Sequence, residues 1–321
     1  MKLSRRTAFM GATALVATPA VLRAQDYPTK PIRIVVPFAA GSATDVTARG
    51  LGNKLQETLK QTIVIENKPG ASGQIGASAV ATAPADGYTL LMGTNTTNAA
   101  NPALFKKLSY DPEKDFAPIA RCVTGVNALV VNNDVPVKSV AELIAYAKAN
   151  PGKLNYAEAS ASQRVSAEMF NSMAGVKIER VPYKASPQAV GDVVAGQVHL
   201  MFPDLPQALT QISGGKVRGL GVTGQQRTPV APDLPAIAET VPGYETDAWG
   251  GVIGPAKLPR EIVARLTDEI RKALAAPAVV ERYRQLDTEP DGGGPEAFLA
   301  RVKREQPKWE QVIRRSGAKV D

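Results

Sequence analysis

Along this chain, short apolar runs alternate with longer stretches whose apolar residues recur every three or four positions. Residues 32–36 carry Ile32, Ile34, Val35 and Val36, a run of the kind buried in a parallel sheet. Pro37 cannot donate to a ladder, so the strand should end there. Val46, Leu51, Leu55 and Leu59 follow at helical spacing. Between the two lies Phe38-Ala39-Ala40-Gly41-Ser42-Ala43-Thr44-Asp45, in which Ser42-x-x-Asp45 has the form of a capping box. Ser42 would be the N-cap and Asp45 would reach back to its amide. A Gly-containing loop that feeds a helix start offers unpaired N–H groups and the positive end of a helix dipole. That combination suits an anion, above all a carboxylate. The plain alternative is a well-capped turn that binds nothing.

The alternation continues. Strands are predicted at 62–65, 88–92, 128–131, 154–157, 178–181, 198–202 and 217–222, with helices between most of them. Residues 93–98 read as a polar loop at the C-terminal end of a strand, the edge at which open α/β sheets hold ligands. Ser139-x-x-Glu142 and Ser160-x-x-Gln163 repeat the capping pattern, the latter giving a second strand–loop–helix unit like the first. An amphipathic helix is expected at 260–275, and Pro277 and Pro295 each mark a further helical start. Strands alternating with helices predict right-handed parallel units in doubly wound α/β sheets.

Length and charge change this picture in two ways. The 321 residues suffice for two domains. Residues 1–24, with a basic start, an apolar stretch to Leu22 and a small residue at Ala24, have the form of an export signal peptide. Arg5-Arg6 leaves both the Sec and the twin-arginine routes open. Without this leader the formal charge falls from +8 to +4, with 34 basic against 30 acidic residues. The remaining basic residues are scattered, which argues against nucleic acid. No other stretch is apolar enough to span a bilayer, so a soluble periplasmic protein is expected.

Candidate catalytic chemistry is sparse. The single cysteine, Cys122, excludes an internal disulfide, and its apolar neighbours predict a buried thiol. Gly70-x-x-Gly73-x-x-Gly76 is neither a dinucleotide fingerprint nor a P-loop, and it reads as close helix–sheet packing. The single histidine, His199, sits in a predicted strand, so no multi-His zinc site can form. Neither a Gly-x-Ser-x-Gly elbow nor a carboxylate pair at telling spacing is present. We therefore nominate no catalytic residue, metal or cofactor.

One resemblance is extensive. The opening loop, Glu66-Asn67-Lys68-Pro69-Gly70-Ala71, Asp86-Gly87-Tyr88-Thr89-Leu90-Leu91, Tyr110-Asp111-Pro112, Val181-Pro182-Tyr183-Lys184 and Gly196-Gln197-Val198 strongly resemble, in order, the Bug family. These are extracytoplasmic substrate-binding receptors of tripartite tricarboxylate transporters. The resemblance implies two α/β domains joined by a hinge, like a type II periplasmic binding protein. The chain would cross near Thr124-Gly125 and near Trp249-Gly250-Gly251. Domain 1 would then comprise 25–124 and 250–321, and domain 2 would comprise 125–249. It also implies a monomer that closes on a small carboxylate and delivers it to membrane permease subunits.

Carried over, the family's ligand loops implicate Phe38, Ala39, Ser42, Ala43, Thr44 and Asp45 on one side and Ser160 and Ser162 on the other. Thr94 and Asn95 join them from the exit of the third strand. Three departures bear on the ligand. The usual Gly-Gly is Gly41-Ser42; residues 157–163 are shorter than common; and the acid of Met201-Phe202-Pro203-Asp204 is shifted by one place, making Asp204 a further candidate. Arg164 is either a guanidinium that grips the carboxylate or a solvated helix residue. Asp45 is either a ligand contact or a cap. A carboxylate-processing enzyme on the same fold and a ligand-sensing partner of a membrane kinase stand as rival functions.

Overall fold

The computed structural model describes residues 27–285 and 288–316; the leader expected at 1–24 lies outside them. Two sheets organise the chain. The first has six strands in the order β11-β4-β10-β3-β1-β2: β1 (Ile32–Val36), β2 (Ile63–Asn67), β3 (Thr89–Thr94), β4 (Phe116–Val126), β10 (Asp247–Pro255) and β11 (Glu289–Pro290). The second has five in the order β7-β6-β8-β5-β9: β5 (Ala128–Asn132), β6 (Asn155–Glu158), β7 (Glu179–Pro182), β8 (Leu200–Met201) and β9 (Val217–Val222).

Each sheet is covered on both faces, which is why its strands read as unbroken apolar runs. Ile32, Ile34 and Val36 pack with Leu51 and Leu55 of α1 (Ala43–Leu59) and Leu266 and Ile270 of α8 (Arg260–Ala275). Val35, one step out of phase, packs on the other face with Val80 of α2 (Gln74–Ala81) and Phe298 of α9 (Pro295–Ser316). In the second sheet, Leu129 and Val131 face α4 (Val140–Ala149) and α5 (Ala161–Ala174), through Leu143 and Phe170. Val130 faces α6 (Ser186–Val194) and α7 (Leu205–Ser213), through Val193 and Leu205.

The sheets are mixed rather than wholly parallel. β1 pairs in parallel with β2 and β3, and β6 with β7 and β8. The strands next to the passages between sheets run the other way: β10 is antiparallel to β3 and β4, and β5 to β8 and β9. β4 ends at Val126 and β5 begins at Ala128, so the chain passes between sheets at Asn127. The two strands at the boundary pair with each other, Asp247 opposite Val126 and Trp249 opposite Thr124. Gly251 in this ladder has no room for a side chain, since a Cβ there would lie 2.3 Å from the carbonyl oxygen of Ala120.

Three local expectations change. β4 was not foreseen, because Pro118 interrupts its run; its ladder with β10 tolerates the proline beside a register shift. The strand expected at 198–202 contracts to Leu200–Met201. Gly93 and Thr94 belong to β3, and Thr96–Ala100 form a wide helical turn that runs into α3 (Asn101–Leu104). This turn is buried although polar because its groups satisfy one another. Thr97 donates to Asn98 Oδ1 at 2.7 Å, and Tyr110 donates to the Thr97 carbonyl at 2.7 Å.

Candidate ligand-binding cleft

The turn after β1 is held by a charged clamp. Ser42 caps α1, its hydroxyl accepting the Asp45 N–H at 3.3 Å. Asp45 does not return to the Ser42 amide as the capping-box reading expects. Its carboxylate accepts the N–H of Gly41 at 2.9 Å, Arg49 Nε at 3.1 Å and Asn67 Nδ2 at 2.9 Å. Asn67 Nδ2 also donates to the Phe38 carbonyl at 3.0 Å. Burial raises the Asp45 pKa, but the bonds from Arg49, Gly41 and Asn67 outweigh it and hold the carboxyl below its ordinary value.

The turn after β6 is built in the same way with neutral groups. Ser160 caps α5 by accepting the Gln163 N–H at 3.4 Å, and the Ala159 N–H donates to Gln163 Oε1 at 2.8 Å. Gln163 Nε2 donates to Ser186 Oγ at 3.2 Å, Ser186 donates to Gln207 Oε1 at 2.7 Å, and Gln207 Nε2 donates to the Gly41 carbonyl at 3.2 Å. This relay starts in the second lobe and ends on the first. Another link across the gap runs from the Ser162 N–H to Thr96 Oγ1 at 3.3 Å.

Between the lobes lies a cleft with about 830 Å³ of free space, counting its open mouth. Residues at the starts of four helices line it: Ala43 and Thr44 of α1, Ser162 and Gln163 of α5, Ser186 of α6 and Pro206 of α7. Each start contributes the positive end of a helix dipole. Among the described lining residues, the ionisable ones are Lys184 and Asp204. Asp204 precedes α7 without capping it, and burial pushes its carboxyl up to about 6. Thr94 is 8 % exposed and its hydroxyl has no hydrogen-bond partner in the protein. The cleft is therefore largely apolar in surface, set with hydroxyls and positive helix ends that favour an anion, without being strongly charged.

The structure brings ten of the twelve predicted residues to this cleft: Phe38, Ala39, Ser42, Ala43, Thr44, Thr94, Asn95, Ser160, Ser162 and Asp204. Asp45 and Arg164 do not line it. Asp45 stands behind the turn, 3 % exposed, as its clamp. Arg164, in the first turns of α5, opens instead on a neighbouring cavity beside Glu158 and Arg180. Gln163, Lys184, Ser186 and Trp249 line the cleft without having been foreseen. Lys184 stood within a recognised motif, and Gln163 was read only as a cap. His199 pairs with Asn155 Oδ1 at 2.7 Å, and Cys122 is buried, its thiol pushed up to about 12 by burial. Among the described residues, no group of three or more His, Cys, Asp or Glu is placed to hold a metal.

Two lobes, each a mixed sheet covered by helices, with a cleft between their loop edges, define the class of periplasmic binding proteins. Residues 47–318 match the family described as the tripartite tricarboxylate transporter family receptor, TctC, and the chain belongs to that family. It is 37 % identical over 318 residues to the "UPF0065 protein in tcbD-tcbE intergenic region" of Pseudomonas sp. (strain P51), covering 97 % of this chain and 94 % of that one. Among solved structures it is similar to R. palustris Rpa4515 with adipate, at 39 % identity and a TM-score of 0.89, covering 92 % of this chain and all of that one. It is also similar to MatC (Rpa3494) from Rhodopseudomonas palustris with bound malate, at 33 % identity and a TM-score of 0.85, covering 89 % and 100 %. Within the described residues, no helix is long and apolar enough to cross a membrane.

Proposed function

We propose that the mature chain is an exported receptor, not an enzyme, that captures a small carboxylate between its lobes and delivers it to the permease subunits of a tripartite tricarboxylate transporter. The lobes are assigned as 25–124 with 250–321, and 125–249; the receptor works as a periplasmic monomer after loss of residues 1–24. The observation that carries this reading is the convergence of four helix starts on one cleft whose ionisable lining is a single lysine and a single acid of raised pKa. Such a cleft binds an anion through main-chain N–H groups and hydroxyls, from Ser42 to Thr44 on one side and Ser160 to Gln163 on the other. Phe38 and Ala39 supply apolar wall, and Thr94 has a hydroxyl to offer. Adipate and malate, bound by relatives, are the first ligands to test.

The test is thermal melting and calorimetry of the mature chain with mono-, di- and tricarboxylates. A ligand at a hundred times its Kd should add about 2.7 kcal/mol of stability. The absence of both a melting shift and binding heat across such a panel overturns the reading.

A further inference from the structure

Among the described residues that line the cleft, one is an acid, Asp204, and the fold fixes its place. Its main chain is pinned from several sides at the passage between the sheets. Asn127 forms an antiparallel bridge with Asp204, and Asn127 Nδ2 donates to the Phe202 carbonyl at 2.7 Å. The Ala128 N–H donates to the Pro203 carbonyl at 3.0 Å, and the Asp204 carbonyl accepts the Ala208 N–H at 3.1 Å in the first turn of α7. Pro203 before it and Pro206 after it each lock a φ angle. The backbone here has little freedom to carry the acid away from a bound ligand.

No neighbouring cation neutralises this acid. Burial is the largest influence on its carboxyl and raises its pKa, and what opposes burial is its own main-chain N–H. Two cations stand in the vicinity. Lys184 lies in the same lining, ahead of α6, and Arg282 borders the space behind Pro206 and Gln207. Neither offsets the burial. The other elements at the cleft, α1, β3, β4, α5 and β10, present neutral side chains to it. An entering anion therefore meets helix ends that attract it and one acid that, when ionised, repels it. Two carboxylates confined to one small site resolve such a conflict by holding a proton between them.

We propose that the receptor takes up a proton from solvent on Asp204 as it binds its carboxylate, so that the loaded cleft holds one proton shared between Asp204 and the ligand's acid group. This rests on the receptor reading and adds a rule of selection to it. A fully ionised carboxylate binds more weakly as pH rises, and the proton returns to solvent when the ligand leaves. A solute carrying an ammonium beside its carboxylate would pair with ionised Asp204 and need no proton.

The experiment is calorimetry of the mature chain with adipate, malate and aspartate at pH 7.0, 7.5 and 8.0, in phosphate and in Tris, whose heats of ionisation differ. Above about 6 the free protein carries Asp204 ionised. Wild type should therefore draw about 0.5–1 proton per adipate or malate at pH 7.5, and Kd should rise about three- to tenfold from pH 7 to 8. Asp204→Asn and Asp204→Ser should each abolish the uptake and flatten the pH profile. A merely structural role for Asp204 would change affinity without changing the proton count, and with two neutral variants the test survives the misfolding of one. Ligand binding with less than about 0.2 proton taken up by wild type overturns the proposal alone. So does uptake that persists in the variants, or a preference for aspartate over malate with a flat pH profile. Failure of wild type to bind any of the wider carboxylate panel overturns the receptor reading and this proposal with it.

Discussion

The two turns that face each other across the cleft follow one local plan and differ in what anchors it. In both, a serine caps the helix and the side chain three residues on accepts the N–H of the residue before that serine. Ser139 and Glu142 repeat the arrangement at α4, where the Lys138 N–H donates to Glu142 at 2.7 Å. At the first turn the anchor is Asp45, locked by Arg49 and Asn67 of its own lobe. At the second it is Gln163, whose remaining amide protons lead through Ser186 and Gln207 to the opposite lobe. The first turn is therefore shaped before any ligand arrives. The second owes part of its order to bonds that cross between the lobes, so its shape depends on how the lobes meet.

Removing the charged anchor should give the largest effect. Asp45→Ala strips the Gly41 N–H, Arg49 and Asn67 of their shared acceptor and should cost about 2–4 kcal/mol of apo stability by denaturant unfolding. A depressed carboxyl contributes stability above its unfolded value of 3.8, and loses it as pH falls through the lower folded value. Wild type and variant should therefore converge in acid. A loss below about 0.5 kcal/mol at pH 7 would mean that the backbone alone fixes the turn.

Asp204 sharpens the contrast, being an acid at a helix start shifted the opposite way. Its folded value of about 6 lies above the ordinary 3.8. The native state is penalised by the buried charge above about pH 6, and relieved as pH falls towards 3.8, below which folded and unfolded forms are both protonated. Asp204→Asn should stabilise the apo protein by about 1–2 kcal/mol at pH 7.5, with the gain fading across that window. Melting curves at pH 4 and 7.5 decide it; a gain that is equal at both would place the effect outside ionisation.

The smallest effect is expected at the end of the neutral relay. Gln207→Ala removes the bond to the Gly41 carbonyl, and Gln207 is not part of the cleft lining. Ligand affinity should fall about two- to fivefold, the scale of one partly exposed hydrogen bond, with apo stability unchanged. Loss of apo stability instead would mean that the relay is closed without ligand.

Periodicity in the sequence was enough to place β1, α1, α4 and α8 within a residue or two, because their apolar spacing and caps are local signals. The capping serines were equally legible. The donors to the third-position side chains were not, since the geometry selects the amide one residue further upstream. Ser186 and Gln207 escaped because the relay joins helices 20 or more residues apart, which no spacing rule reports. Arg164 was legible as unusual in a first helical turn, but which space it faces depends on the packing of residues 69–73 across the gap. The polar stretch 93–98 read as loop because burial of Thr and Asn is paid back by bonds that appear only once Tyr110 and Gln306 are in place.

The passage between lobes has a mechanical consequence. Where Asp247 and Ala248 stand opposite Val126 and Gly125, the two connecting strands form a narrow ladder beyond the reach of β3, whose pairing with β10 starts at Gly250, and of β11, whose pairing with β4 starts at Thr124. A two-stranded ribbon bends readily out of its plane but resists stretching and shear, because those motions break its cross-links together. It works like a strap hinge rather than a ball joint: the lobes keep one free coordinate, the angle of the gap. A partner that gripped both lobes would have one quantity to gauge, the angle of the gap.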